Sequence, residues 1–361
     1  MTKNKTFNTK IEDKEKCVIV TLLKGDKDSL PRKKEEMRRL CETANLEVVE
    51  FFPQNLKEIN PRYVMGDGKA EEISMYVKQN NIDVVLVDFK LTGSQTKNLS
   101  DIFSVKVIDR IMLILDIFAQ NATSNEGKIE VKLAQNKYLL TRLSSLTGTA
   151  GRCGGAGVGM RGPGETKLEL DKRKLQDEIA LLEKEIKKIK NSRIQNREKR
   201  LKSDEKLVVI LGYTNAGKST LLNVLAKDNI YAFDKLFATL DTTSRKLYLS
   251  DGKYCIITDT VGFISDLPHE LIESFASSLD EIKLADLILH VIDNNDKFKE
   301  ENIQVTNQVL DEINATQKRI LVFNKCDDLK EALQKEKHIY ISAKNTVGIK
   351  ELKEKISQEL F

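Results

Sequence analysis

The 361-residue sequence has no tryptophan, three histidines and five prolines, and its apolar runs fall well short of the ~20 residues that cross a bilayer. The best candidate, Ile111–Phe118, is interrupted by Asp116, which argues against an integral membrane protein. Met1–Lys16 is polar and charged and lacks the apolar centre of a secretory signal. The five cysteines (Cys17, Cys41, Cys153, Cys255 and Cys326) are widely scattered and never take C-x-x-C spacing. That excludes a disulfide framework or a zinc site and fits a reducing, cytoplasmic setting. With 18 glycines and so little proline, a collagen-like or low-complexity chain is also excluded. What remains is 40% hydrophobic and 32% charged, enough to bury ordinary cores in a soluble protein of two or three domains.

The net charge of +4 conceals a gradient. Residues 1–160 carry 25 basic against 21 acidic side chains, 161–206 carry 15 against 10, and 207–361 carry 19 against 24. Nine of the basic residues fall between Lys184 and Lys202, opposed by Glu185 and Glu198. Such a cluster is either the solvated face of a helix or a footprint for phosphate backbones, and charge alone does not choose between them.

Apolar patterning divides the chain. Cys17–Leu23, Leu46–Phe52 and Ile82–Asp88 read as strands, with helices at Pro31–Ala44 and Gly68–Asn80, so 1–105 is expected to be a small α/β unit. From Val107 the pattern turns helical. Leu168, Leu175, Ile179, Leu182, Ile186 and Ile189 form a heptad-like seam, and Ile129, Leu133, Leu140 and Leu143 form a matching stripe. A long antiparallel helical hairpin over 106–204 would bury both. Between them, 148–164 holds eight of the 18 glycines together with Arg152 and Arg161, a loop able to mould itself to a large phosphate-rich surface. Over 205–361, apolar runs at Lys206–Leu211, Tyr254–Asp259, Leu287–Asp293, Ile320–Asn324 and Ile339–Ser342 alternate with helix-length stretches, including Pro268–Lys283. Lys246–Ser250 joins Tyr254 through Asp251-Gly252, a hairpin signal. The expectation is an α/β fold with a mostly parallel, six-stranded sheet and one antiparallel edge.

Gly212-Tyr213-Thr214-Asn215-Ala216-Gly217-Lys218-Ser219 fits G-x-x-x-x-G-K-[ST] after a strand and before a helix that continues through Thr220, the context of a P-loop. Its backbone N–H groups would cradle phosphates, Lys218 would reach the β- and γ-phosphates, and Ser219 would ligate Mg²⁺. Asn324-Lys325-Cys326-Asp327 follows a later strand as N-K-x-D. The Asp327 carboxylate can accept both N1–H and N2–H₂ of guanine, a donor pair adenine lacks, with Asn324 bracing the loop and Lys325 covering the base. Ser342-Ala343-Lys344 would offer the Ala343 N–H to guanine O6. Asp259-Thr260-Val261-Gly262 ends another strand, with Asp259 on Mg²⁺ and the Gly262 N–H on the γ-phosphate. A second magnesium hydroxyl should come from Thr239, Thr242 or Thr243 in the loop 227–244. The candidate chemistry is Mg-dependent turnover of bound GTP to GDP, carried by Lys218, Gly262 and that threonine. Phe263 stands where Ras-type enzymes carry a water-orienting glutamine. Either another residue orients the water, Phe263 merely packing, or a partner or monovalent cation assists. The histidines His269, His290 and His338 read as satisfied strand or surface residues rather than ligands.

These motifs, with Phe263 after the D-T-V-G stretch and Phe237-Ala238-Thr239-Leu240-Asp241 before it, resemble the Obg–HflX GTPases. Tyr63–Ile73, Val107–Gln120, Glu126–Gln135 and Met160–Lys174 are similar to HflX in particular. The resemblance implies an N-terminal HflX domain with a helical hairpin, followed by a Ras-like G domain. It assigns Phe237, Ala238 and Thr239 to the nucleotide site and gives Thr239 the first-switch magnesium role. It further implies GTP-dependent binding of a monomer to the large ribosomal subunit and its rRNA, splitting or rescuing stalled ribosomes. The alternative is a non-catalytic, GTP-gated RNA-binding or assembly factor. A membrane-linked transport GTPase is disfavoured by the lack of any apolar span.

Overall fold

The computed structural model describes residues 14–23, 28–56, 58–150, 163–203, 205–226, 236–237, 243–249, 252–265, 281–328, 333–335 and 338–361. Thr239 and Ala238, most of the glycine-rich loop with Arg152 and Arg161, His269 and most of the expected helix at Pro268–Lys283 lie outside them. So do the side chains of the expected basic cluster from Lys190 to Lys202. The chain separates into two compact units, Met1–Leu113 and Ile114–Phe361.

The first unit is a parallel sheet of β1 (Glu15–Leu23), β2 (Leu46–Asn55), β3 (Val84–Asp88) and β4 (Lys106–Asp109), ordered β2-β1-β3-β4. Helices α1 (Leu30–Thr43), α2 (Asp67–Gln79) and α3 (Gly93–Phe103) connect them. From Cys17 onward β1 is buried at every position, and β3 is buried throughout. That is why both read as continuous apolar runs rather than alternating ones: helices cover both faces of a parallel sheet. The α3 helix starts on a capping box in which Thr92 and Gln95 satisfy each other's backbone N–H groups. Two features depart from the expectation. The helix α3 is additional, and the helical pattern from Val107 begins with the four-residue strand β4, aligned with β3 over Val84–Val87. Arg110, the first residue of α4 (Arg110–Asn121), is buried between two carboxylates, Asp88 at 3.0 Å and Glu36.

The second unit contains α5 (Asn125–Ala150) and α6 (Pro163–Ser203), which pack along one another. The seam residues of α6 from Leu168 to Ile189 are its sheltered positions, with Leu182 buried, while the exposed pairs Lys132–Glu178 and Lys137–Glu183 link the helices. A seven-stranded sheet follows, ordered β10-β11-β9-β8-β5-β7-β6. Its strands are β5 (Leu207–Gly212), β6 (Thr243–Tyr248), β7 (Tyr254–Asp259), β8 (Leu287–Asp293), β9 (Lys318–Asn324), β10 (Leu333–Lys335) and β11 (His338–Tyr340). The helices α7 (Lys218–Ala226), α8 (Lys299–Glu312) and α9 (Ile349–Leu360) complete it. The strand beyond the expected six is β10, three residues paired antiparallel to β11. The other antiparallel member is β6, opposite β7 as the Asp251-Gly252 turn implied. No helix among the described residues is long and apolar enough to cross a membrane.

Removing the Arg110 guanidinium leaves two buried carboxylates facing each other without a cation. Arg110→Ala should lower the stability of the first unit by about 3–5 kcal/mol, read as a shift in its urea denaturation midpoint.

Candidate functional site

The loop 212–217 follows β5, an interior strand of the sheet that lies between β7 and β8. Loops at the carboxyl ends of parallel strands form the crevice where such sheets take ligands. Here those ends bring together Gly212–Lys218, Asp259–Phe263, Asn324–Asp327 and Ser342–Lys344. Close approach explains the glycines. A Cβ on Gly217, at φ +88°, would lie 2.3 Å from Asn324 Nδ2, and one on Gly212 would lie 2.1 Å from the Val291 carbonyl oxygen. At Gly262 a Cβ would meet Lys218 Nζ at 2.8 Å and Thr214 Cα at 3.0 Å.

Lys218 opens α7 and is 6% exposed; its Nζ donates to the Tyr213 carbonyl oxygen at 2.9 Å. Burial lowers its pKa to about 8, an effect the Asp259 carboxylate opposes and Lys325 reinforces. Next to it, Ser219 Oγ donates to Asp259 Oδ2 at 2.8 Å. A hydroxyl and a carboxylate side by side at the mouth of a phosphate loop are hard oxygen donors of the kind Mg²⁺ takes, one or two from protein and the rest from phosphate and water. Among the described residues no cluster of three or more acidic, His or Cys side chains competes for a metal.

The base loop is tied to the phosphate loop by one side chain. Asn324 is buried; its Nδ2 donates to Ala216 O at 3.0 Å, and its Oδ1 accepts from the Ala343 N–H at 3.0 Å. Asp327 accepts from Ser342 Oγ at 2.5 Å, and Asn345 closes the ring, donating from its N–H to Ser342 Oγ and from Nδ2 to Asp327 O. Lys325 takes a left-handed φ of +64° and pairs with Asp293 at 2.8 Å.

Several of the expected residues make contacts within the protein. The Ala343 N–H, expected at guanine O6, donates to Asn324 Oδ1 in this structure. The Thr260 hydroxyl donates to the Ile210 carbonyl at 2.9 Å, bracing β5. Phe237 is buried with its ring against Phe118 and its carbonyl accepting from Asn121, so its side chain is structural. Phe263 is a core residue among Val209, Leu211 and Ile288; its backbone bridges the phosphate loop through Phe263 N to Gly212 O and Thr214 N to Phe263 O. His290 is not satisfied among the described residues: its Nδ1 and the Thr214 hydroxyl are buried there without hydrogen-bond partners, and both line a cavity of about 10 Å³ under the loop. That is room for a single water. Burial, with Arg319 and Lys218 nearby, lowers the His290 pKa to about 3, so the ring is neutral.

Asp293, Asn295 and the Tyr213–Ser265 pair escaped the sequence reading. Asn295 Nδ2 donates to Lys325 O at 2.9 Å, and the Ser265 N–H donates to the Tyr213 hydroxyl at 3.0 Å. The one sequence signal for the first two was their place at the end of β8, beside two strand-end motifs already identified.

Comparison with known proteins covers nearly the whole chain. Residues 32–119 match the GTP-binding GTPase N-terminal model, 121–200 the GTP-binding GTPase middle region, and 207–325 the 50S ribosome-binding GTPase model. The GTPase HflX of Caldanaerobacter subterraneus is 47% identical over 97% of this chain and 81% of its own length. That of Escherichia coli is 41% identical over 90% and 78%, and that of Methanocaldococcus jannaschii 35% over 90% and 82%. A crystal structure of a GTP-binding protein from Sulfolobus solfataricus in complex with GDP shares the fold, with a TM-score of 0.50 at 23% identity over 96% of this chain and 98% of that one.

The depressed Lys218 pKa has a consequence in solution. A polyphosphate beside the side chain restores its charge, so binding takes up a proton once pH exceeds about 8. Below that pH the lysine is protonated in both states and the linkage vanishes. GDP affinity, measured by fluorescence titration between pH 7 and 9.5, should be flat at first and then fall by up to about tenfold per pH unit.

Proposed function

Because the chain belongs to the HflX family of GTPases, and so hydrolyses GTP, we propose that this site holds Mg–GTP and that the GTP state docks the protein on the large ribosomal subunit. The observation that carries the nucleotide reading is the Asn324 bridge, which sets a guanine-specific carboxylate, Asp327, at a fixed distance from the phosphate loop. In this reading the backbone of Gly212–Lys218 surrounds the phosphates and Lys218 sits on the β- and γ-groups. Thr220 continues the helix whose N-terminus faces them. Ser219, Asp259 and Thr239 hold the metal, which when bound neutralises charge developing on the transferred phosphoryl group. Gly262 contacts the γ-phosphate, and Asn324, Lys325, Asp327 and the Ser342–Lys344 turn hold the base.

The chain works as three parts: an α/β unit at 1–105, a helical hairpin at 106–204 and the G domain at 205–361. The ribosome reading is supported by the match of 207–325 to the 50S ribosome-binding GTPase model and by the excess of cations at 161–206. The hairpin and its glycine-rich loop engage rRNA, and the outcome is splitting or rescue of stalled ribosomes. With Phe263 buried in the core, hydrolysis depends on help from the bound partner.

Two measurements test this. Steady-state GTP turnover should rise on the order of tenfold or more with purified large subunits and be insensitive to ATP; an unchanged rate would remove the ribosome from the proposal and leave a nucleotide-gated binder. Asp327→Asn should weaken GTP binding on the order of 100-fold and favour xanthine nucleotide, whose O2 accepts where guanine N2 donates. Retained GTP preference would sink the base assignment.

A further inference from the structure

The loop after β8 carries none of the nucleotide motifs, yet it grips Lys325 at both ends. Register places Asp293, the last residue of β8, beside Asn324, the last of β9. From there three contacts cross to the base loop. The Asn294 N–H donates to the Asn324 carbonyl oxygen at 3.0 Å, Asn295 Nδ2 donates to the Lys325 carbonyl oxygen at 2.9 Å, and Asp293 Oδ2 pairs with Lys325 Nζ at 2.8 Å. Asp293 Oδ1 accepts the Asn295 N–H at 3.0 Å, so the two gripping residues brace each other. The Cys326 N–H, on the same peptide as the Lys325 carbonyl, donates to the Ile341 carbonyl oxygen at 3.1 Å. That peptide is therefore held at both of its polar ends. Lys325 sits at φ +64°, and a long side chain keeps such a conformation only where its surroundings over-determine it.

We propose that Asp293 and Asn295 are positioning residues for the guanine base: they fix the backbone and the ammonium of Lys325, so that the four-carbon stem between them stands as a preformed wall of the base slot. The inference rests on the reading above, in which Lys325 covers the base and Asp327 reads its edge. A lysine stem without such anchors samples many rotamers and gives them up when a purine ring lies against it. Here that ordering is met on folding, so less is lost at binding. With its ammonium on a carboxylate, the side chain offers its methylenes to an aromatic face. The pairing also engages the cation elsewhere than on Asp327, two residues on, whose carboxylate has to meet guanine N1–H and N2–H₂. Because the base is common to GDP and GTP, the effect is equal for both and absent for a ligand made of phosphates alone.

The test uses the full chain and compares Asp293→Asn, Asn295→Ala, Lys325→Met and the double variant Asp293→Asn/Lys325→Met with the unsubstituted protein. Asn295 is exposed, so removing its amide leaves the core intact. Lys325→Met keeps an apolar stem and removes the ammonium. Affinities for fluorescent GDP, for a non-hydrolysable GTP analogue and for inorganic tripolyphosphate, the last by displacement of fluorescent GDP, are measured with Mg²⁺. Each single variant should lose about five- to tenfold in affinity for both guanine nucleotides and hold tripolyphosphate within about twofold. The double variant should bind no more weakly than the weaker of its two singles, since Asp293 acts through the Lys325 ammonium. Unchanged nucleotide affinity in Asp293→Asn and Asn295→Ala would overturn the inference. So would an equal loss for tripolyphosphate, the mark of general destabilisation, or losses that add in the double variant. Failure of the unsubstituted protein to prefer GDP to ADP would overturn the base reading itself and this inference with it.

Discussion

A primary amide is the one short side chain that can donate and accept in opposite directions from a single planar group, and the site depends on that property at Asn324. Its Nδ2 holds the Ala216 carbonyl on the loop after β5, and its Oδ1 holds the Ala343 N–H on the turn after β11. Aspartate would leave Ala216 unsatisfied, and leucine would leave both groups so. Each orphaned buried partner costs about 1–3 kcal/mol. The same contact dictates Gly217, because any side chain there would occupy the space of the amide. One hydrogen-bonded residue thus joins loops 108 positions apart, and phosphate and base recognition share a fixed frame without help from a ligand.

Around that frame the electrostatics are deliberately unfinished. Lys218 is buried with a backbone carbonyl on its ammonium and Asp259 in its vicinity, and burial still outweighs both, as the lowered pKa records. A cation in that state is poorly solvated and gains more from an arriving polyanion than an exposed lysine would, since the desolvation has already been met on folding. Lys325, by contrast, is neutralised by Asp293. The free cationic potential of the site is concentrated at the phosphate end, while the base end is governed by directional hydrogen bonds.

How much of this was legible in the sequence follows from where each constraint originates. The placement of Gly212–Ser219, Asn324–Asp327 and Ser342–Lys344 on loops at strand ends was readable because each motif directly follows an apolar run of strand length. The seam of α6 was readable because burial repeats with helical period. Strand β4 was not, since four residues show no period, and its apolar tail Val107–Ile108 merges with the start of α4. Phe237 was placed at the nucleotide by resemblance, while its actual partners lie 116 residues away or more on α4 and leave no local mark. His290 was misjudged for a similar reason: its strand position was plain, but the missing partner for Nδ1 is a property of a cavity assembled from three segments.

The two switch segments are held in opposite ways. At the second, Phe263 is inserted in the core under β5 and its backbone pairs on both sides with the phosphate loop, while Tyr213 takes the Ser265 N–H. Its root is therefore tied to the phosphate loop, and the side chain after Gly262 is buried. At the first, the root is Phe237, held by α4 and not by the sheet. On the proposed nucleotide reading, the two segments are anchored to different parts of the chain: the second to β5 and the phosphate loop, the first to the helix that leads into α5.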